Sequence, residues 1–321
     1  MSFPLGNKDL KIGILGFTEG NGHPYSWSAM FNDYDFDTME ECGFPVIPRY
    51  LEKQPKSTIG IEGAHITHIC CTGFEGYERA QHVAKAAKIP NVCTHPEEMI
   101  GEIDAVIVAT DVGSEHVERC RPFIEAGIPM FIDKPMVDNE EDLKTFIQWR
   151  KNGAKFISSS SMRYTKTYEA YYDKHYELGD LVYILSPMPK KYETYGIHAL
   201  EAMYPFLKQG FVSVRNTGTF ERTIVHIKHS SGCNVNIVQG LDMAGAGMTV
   251  IGTQGSVYLQ NTDSYYGFKK QLDLFVHYLR TGEEPFPFEE TIELMKLVIG
   301  GLRSREEGGR EVLLSEICTE D

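Results

Sequence analysis

Phe131-Ile132-Asp133-Lys134-Pro135-Met136 is an apolar run that ends in an acid, a lysine and a proline. It reads as a buried strand that delivers a cation to its carboxyl end and stops there, because proline cannot donate to a ladder. Ligands of open α/β sheets bind at such strand ends. A lysine in that place can donate a hydrogen bond and hold the negative charge of an alkoxide, and its pKa moves readily with burial. The hexapeptide fits equally well a lysine that snorkels from a strand terminus. A second stretch with chemical content runs from Leu10 through Gly13, Gly16, Phe17, Thr18 and Gly20 to Gly22, before a helical Tyr25–Phe31. Strand, glycine loop and helix is how a dinucleotide site begins: the glycines allow a tight turn and let backbone N–H groups approach a pyrophosphate at the helix N-terminus. The spacing departs from Gly-x-Gly-x-x-Gly, so the loop is longer than standard, and a glycine-rich turn without a ligand is the competing reading.

The elements around these residues repeat one pattern. His65–Cys71 is the second strand and ends at Thr72 without an immediate acid. A helix follows over Gly76–Ala87, then a short strand at Asn91-Val92-Cys93 and a turn of helix at Pro96–Ile100. Asp104–Thr110 is a continuous apolar run of the parallel-sheet type, ending at Thr110-Asp111, with a helix over Glu115–Ala126. Met130–Asp133, a helix over Asn139–Lys151 and a strand over Lys155–Ser160 complete a βαβ alternation, which is the signature of a doubly wound α/β sheet. Between the first two strands lie an acidic segment, Asn32–Asp37, and Met39–Ile61, read as an irregular insert. About twenty residues past Gly16 is where a ribose-binding acid is sought, and Asp35 and Asp37 fall there. The missing acid after Cys71 leaves NAD and NADP both open; Arg79 could serve a 2′-phosphate or be a solvated helix residue.

The second half changes character. After a helical Thr167–Glu177, β-rich runs follow at Leu181–Leu185, Phe211–Val214, Thr217–Lys228, Cys233–Gln239, Met248–Gly252 and Ser256–Leu259. Helices at Glu201–Leu207 and Phe268–Arg280 would pack on the resulting antiparallel sheet. An open sheet with one covered face often uses the other for association, so a homo-oligomer, dimer or tetramer, is expected. The division falls at residues 1–160 and 161–321.

Composition bounds the function class. The chain has 321 residues, enough for two domains, and a formal charge of −14, which with the lack of a basic run argues against a nucleic-acid surface. Met1–Lys11 lacks the apolar core of a signal peptide and no window reaches the length of a membrane span, so a cytoplasmic protein is expected. Seven cysteines, an odd number without a Cys-x-x-Cys pair, fit reduced thiols, with Cys70 and Cys71 in the core. No spacing suggests a metal site.

Taken in order, Gly13-Ile14-Leu15-Gly16, Asp104–Thr110 with His116, Glu125-Ala126-Gly127, Asp133-Lys134-Pro135, Met162-Arg163-Tyr164 and Gly196-Ile197-His198 resemble the Gfo/Idh/MocA family. The likeness spans nearly the whole chain and reaches Phe288-Glu289-Glu290 and Arg303–Arg310. It implies an N-terminal Rossmann domain, and a C-terminal α/β domain on a large, mostly antiparallel open sheet. It also implies hydride transfer between NAD or NADP and a secondary alcohol or ketone of a sugar, polyol or derivative. Gly13, Gly16, Phe17, Thr18, Gly20, Thr72, Thr110, Asp111, His116, Asp133 and Lys134 would hold the cofactor. His198 would share proton transfer with Lys134: a hydride leaves a C–H only as the attached hydroxyl loses its proton, and imidazole is suited to take it. Arg163, Tyr164, Thr194 and Tyr195 would meet the substrate, with Lys190, Lys191 and Tyr192 as further lining or as solvated loop residues.

One departure bears on the chemistry. Many members carry an acid four residues before the histidine, and here that place is Thr194, whose hydroxyl cannot hold an imidazolium as a carboxylate does. Glu193 and Glu201 are the nearby acids. On its own terms His198 opens a helix, where it could cap or pack. The competing function is a cofactor-binding protein with lost or altered catalysis; a sugar-binding regulatory module without cofactor is a third.

Overall fold

The computed structural model describes residues 3–319. In chain order its elements begin with β1 (Leu10–Gly16), α1 (His23–Asn32), α2 (Phe36–Glu40), α3 (Val46–Glu52), β2 (Ala64–Cys71), α4 (Gly76–Ala86), β3 (Asn91–Cys93), β4 (Ala105–Val108), α5 (His116–Glu125), β5 (Met130–Ile132), α6 (Glu140–Lys151) and β6 (Phe156–Ser158). They continue with α7 (Lys166–Tyr172), β7 (Leu181–Pro189), α8 (Tyr192–Leu207), β8 (Phe211–Asn216), β9 (Arg222–His229), β10 (Asn234–Gly240), β11 (Gly247–Gly252), β12 (Ser256–Gln260), α9 (Ser264–Thr281), α10 (Phe288–Glu306) and β13 (Val312–Leu313). Two compact units divide the chain, and neither is continuous in sequence. One runs through Asp133 and takes in Gln148–Ser158 and Phe268–Pro285; the other comprises Lys134–Ile147, Ser159–Gly267 and the chain from Phe286. The ends of the two expected domains, residues 1, 2, 320 and 321, lie outside the described residues.

The first unit holds a six-stranded sheet in the order β3-β2-β1-β4-β5-β6, every pair parallel. Strand order reverses between β1 and β4, which makes their carboxyl ends the switch point of a doubly wound fold. β4 and β5 are buried at every residue, as strands covered on both faces must be. Under the sheet, Trp27 meets Phe131 edge-on at 5.4 Å, and Phe275, returned by α9, meets Phe131 at 5.6 Å. This shared aromatic core explains why Phe268–Pro285 belongs to the first unit. Residues 39–61 are not irregular. Asp35 caps α2 by accepting from Thr38 N at 2.9 Å, and α3 begins directly after Pro45. Asp35 is therefore a helix cap and not a ribose ligand.

The second unit holds a seven-stranded sheet, β12-β11-β7-β10-β9-β8-β13, in which only β7 and β10 run parallel. The run expected as one strand over Thr217–Lys228 is broken by a turn, with Thr219 N bonding Arg222 O at 2.8 Å, so that β8 and β9 form a hairpin. The larger departure is α8. It begins at Tyr192, nine residues ahead of the expected start at Glu201, and so places His198 in a helix interior. Gly196, which reads as a loop residue, is a packing glycine: a Cβ there would stand 2.4 Å from the Tyr192 ring, and one on Gly301 of α10 would stand 2.5 Å from Tyr192 Oη. Tyr192 fills that slot and donates to Leu297 O at 3.0 Å, locking α8 to α10. α8 and α10 cover one face of the sheet. The other leaves Tyr183, Leu185, Ile224, Val238 and Tyr258 between 38% and 58% exposed.

Candidate active site

Asp133 and Lys134 leave β5 in succession, and the chain divides between them. On the first unit, the buried Asp133 carboxylate accepts from Asn21 Nδ2 at 3.1 Å and meets His23 Nδ1 at 2.6 Å. Asn21 Nδ2 also donates to Ala109 O, and Asn21 Oδ1 accepts from His23 N at 2.9 Å. His23, in the first turn of α1, stacks on Trp27 at 4.3 Å. The acid of the strand end thus ties the glycine loop to the mouths of β4 and β5. Gly16 is needed at this approach, since a Cβ would stand 3.0 Å from Pro24 Cγ and 3.5 Å from Ala109 O.

The residues around this loop fit a dinucleotide. Thr18 Oγ1 and Thr110 Oγ1 are buried with no hydrogen-bond partner among the described residues, leaving two hydroxyls on the switch point for a ligand. A cavity of about 670 Å³ is lined by Leu15, Thr72, Gly73, His95, Glu115 and Arg119 among others, a volume ordinary for a small-molecule site. Thr72 Oγ1, at the end of β2, accepts from Arg119 Nη1 at 2.7 Å, and Arg119 pairs with Glu115 at 2.7 Å. His116 Nε2 bonds Thr110 O at 2.8 Å; a carbonyl only accepts, so that nitrogen carries the proton. Asp111 is also buried at this strand end.

Three expected residues sit elsewhere. Gly13 lies within β1, where a Cβ would meet Met99 Sδ at 2.7 Å, so it admits core side chains and no ligand. Phe17 is buried in an aromatic cluster, stacked on Phe74 at 6.2 Å and near Phe44 at 5.9 Å. Arg79 covers Phe17 at 5.2 Å, pairs with Glu75 and donates to Tyr25 Oη at 3.0 Å, so it is neither solvated nor free for a phosphate.

On the second unit, Lys134 is 2% exposed and its Nζ lies 5.3 Å from the Tyr195 ring centroid. His198 meets the same ring edge-on at 4.6 Å, one helical turn further along α8. His198 Nδ1 contacts Ser160 Oγ at 2.6 Å. Ser160 is itself held twice: Oγ accepts from Met162 N at 3.0 Å, and Ser160 N donates to Glu201 Oε1 at 3.2 Å. Glu201 Oε2 accepts from Arg163 Nε at 2.5 Å, and Arg163 Nη1 reaches Glu290 at 2.7 Å. Burial works against the Arg163 charge, but Glu201 and Glu290 outweigh it and keep the guanidinium protonated. Burial pushes the Glu201 carboxyl upward, opposed by Arg163 and the Ser160 N–H. Arg163 is further packed on the Phe286 ring at 4.0 Å. A guanidinium tied to two carboxylates and a ring braces the turn at Ser161–Tyr164, while its buried Nη2 has no hydrogen-bond partner among the described residues. Tyr164 is likewise buried, with its hydroxyl bonded to Ser159 and its pKa raised by burial.

Residues 47–161 match the family model described as oxidoreductase family, NAD-binding Rossmann fold. That stretch, 115 of the 321 residues, is similar to the nucleotide-binding part of the Gfo/Idh/MocA oxidoreductases. Solved structures extend the likeness in fold to the whole chain. Scyllo-inositol dehydrogenase from Lactobacillus casei, solved with NAD(H) and scyllo-inositol, is 14% identical with a TM-score of 0.72, over 96% of this chain and 100% of that one. Myo-inositol 2-dehydrogenase from Lactobacillus plantarum is 15% identical with a TM-score of 0.74, covering 95% and 99%. A myo-inositol dehydrogenase from Corynebacterium glutamicum is 18% identical with a TM-score of 0.71, covering 95% and 98%. No curated protein sequence matches the chain.

Against the Gfo/Idh/MocA pattern, Ser160 is the residue that sequence reasoning missed. With Thr194 where many members carry an acid, the side chain found at His198 Nδ1 is a hydroxyl that arrives from the end of β6. Asn21 and His23 were missed as well; their signal is a polar pair inside the glycine loop, which only the fold connects to Asp133. Among the described residues no group of His, Cys, Asp or Glu is placed to hold a metal, and no helix is long and apolar enough to cross a membrane.

Proposed function

We propose that the chain is an NAD(P)-dependent dehydrogenase or reductase that acts on a secondary alcohol of a sugar or polyol, inositols included. The observation that carries this reading is the convergence of Lys134, His198 and Tyr195 beside a histidine nitrogen already engaged by Ser160. The family model and the inositol dehydrogenases of the same fold support it.

The division of labour follows from the contacts. Thr18, Gly16, Gly20, Thr72, Thr110 and the Asp133-anchored loop would hold the nucleotide, whose bound nicotinamide supplies the two-electron acceptor for the carbinol hydrogen. Ser160 Oγ has two lone pairs and faces two N–H donors if His198 carries its proton on Nδ1. That tautomer leaves Nε2 with its lone pair, and Nε2 takes the hydroxyl proton as the C–H bond breaks. A hydroxyl partner orients the ring through a dipole and not through a full charge, so the imidazolium is less stabilised than beside a carboxylate and returns its proton more readily. Lys134 donates to the substrate oxygen and holds its developing charge where water is excluded. The Tyr195 face steadies the buried ammonium.

The bare apolar face of the seven-stranded sheet supports a second copy of this chain as its occupant. Exposed Leu185 pairs in register with Thr249 and Asn236, and Val238 with Ile224, so one patch can meet its own two-fold image. Leu185→Glu should then halve the mass seen by sedimentation.

Fluorescence titration with NADH and NADPH, followed by a screen of sugars and inositols at the reduced-nicotinamide band, tests the activity. Cofactor binding with turnover of at least one polyol is expected. Binding without turnover across the screen would favour a silent relative, and no binding would remove the cofactor from the account.

A further inference from the structure

We propose that the substrate carries an anionic group, a carboxylate or a phosphate, and that Lys190 receives it. The inference rests on the reading of Lys134 and His198 as the reacting pair and adds the substrate class.

Lys190 and Lys191 are all that separate β7 from α8. Lys190 holds φ at +64°, in the left-handed region that long side chains seldom enter. Lys190 is exposed at this turn. Its ammonium folds back to donate to Tyr195 Oη at 2.7 Å and stands 4.2 Å from the centroid of that ring. Tyr195 therefore touches three groups: Lys190, Lys134 at 5.3 Å, and His198 at 4.6 Å. Two ammonium groups share one aromatic ring at the place where a hydroxyl would be deprotonated.

The chain has 45 acidic and 31 basic residues, so carboxylates outnumber cations. Among the described residues Lys190 makes no ion pair. Glu193, the acid adjacent to this turn, is drawn away to Arg305. Arg163, the other nearby cation, is ion-paired with Glu201 and Glu290. A neutral polyol would leave Lys190 with a phenol oxygen and water as partners, and with the repulsion of Lys134 across the shared ring. An anion on the substrate, a few bonds from the reacting carbinol, would meet the free positive charge and offset that repulsion.

Binding of paired probes to the full chain with saturating reduced cofactor tests this. D-glucuronate against methyl glucoside isolates a carboxylate, and glucose 6-phosphate against glucose isolates a phosphate. At least one anionic probe should bind about tenfold or more tightly than its neutral counterpart, with the advantage shrinking as salt rises. Lys190→Met should erase the advantage while leaving the neutral probes and the melting temperature unchanged, and Lys190→Arg should keep most of it. Equal binding of charged and neutral probes, or a preference that survives in Lys190→Met, would overturn the proposal. An anion preference that depends on Lys190 in a protein with no turnover would uphold the anion site and sink the dehydrogenase reading. Turnover of neutral polyols with no anion preference would do the reverse.

Discussion

Asp133 and Lys134 are joined by a peptide bond and fall in different units. Asp133 faces into the first unit, where Asn21 and His23 close on its carboxylate. Lys134 opens the second unit, where its ammonium lies over Tyr195 near His198. One strand end therefore anchors the glycine loop of the first unit and opens the second unit with a buried lysine. The comparison teaches that the two halves are built by different means. The first organises a ligand through backbone approach and one buried acid. The second holds His198, the proposed proton acceptor, at the end of a chain of side chains from Glu290 through Arg163, Glu201 and Ser160.

If that chain sets the second site, breaking it where charge is buried should have the largest effect on folding. Glu201→Leu strands Arg163 with only Glu290, and a loss of about 3–5 kcal/mol is expected by urea unfolding. Replacing Arg163 and Glu201 together with apolar residues should cost clearly less than the sum of the two single changes. On the other side of the comparison, Asp133→Ala removes the carboxylate from His23 and leaves the Asn21 amide with Ala109 O as its remaining acceptor. About 1–3 kcal/mol of stability should go, together with affinity for the reduced cofactor, because the loop loses its tether.

Ser160→Ala is the smaller and sharper test, since on the proposed reading Ser160 positions His198. kcat should fall about tenfold with KM within about twofold, and Ser160→Thr should restore most of it. A fall in KM and kcat together with a lower melting temperature would instead mark Ser160 as part of the fold alone.

The smallest effect concerns the first unit's sheet. Burial pushes the thiols of Cys70 and Cys71 up to about 12 from an ordinary 9.0. The folded state thus holds these protons more tightly than the unfolded chain, so their contribution is fully present below pH 9 and drains away as pH rises towards 12. Melting temperature should fall over that window, and Cys71→Ala should make the fall shallower. At pH near 8 only the exposed Cys318 should react quickly with a thiol reagent.

These contrasts also explain what could be read without coordinates. β4 and β5 were legible because strands covered on both faces appear as unbroken apolar runs. The doubly wound order followed from their alternation with helices. Gly13 and Gly16 could not be told apart: one makes room for Met99 and the other for Pro24 and Ala109, and sequence shows only two glycines. The reach of α8 was hidden because Gly196 and the paired lysines look like loop, and only the seat of Tyr192 against Gly196 and Gly301 makes them helical company. Ser160 was out of sight for a plainer reason. It lies 38 residues before His198, and no local pattern joins them. The acid sought at residues 193 and 201 is present, but Glu201 accepts from Ser160 N, whose hydroxyl contacts His198, and Glu193 is turned to Arg305.

The central claim is that nucleotide holding and proton transfer are separable across the Asp133–Lys134 bond. Reduced-cofactor affinity and polyol turnover, measured side by side on Lys134→Ala and His198→Ala, test it most directly. The account predicts dissociation constants within about threefold of the parent and turnover lower by roughly 10²–10⁴ in both variants. Turnover within about threefold of the parent in either variant would contradict it.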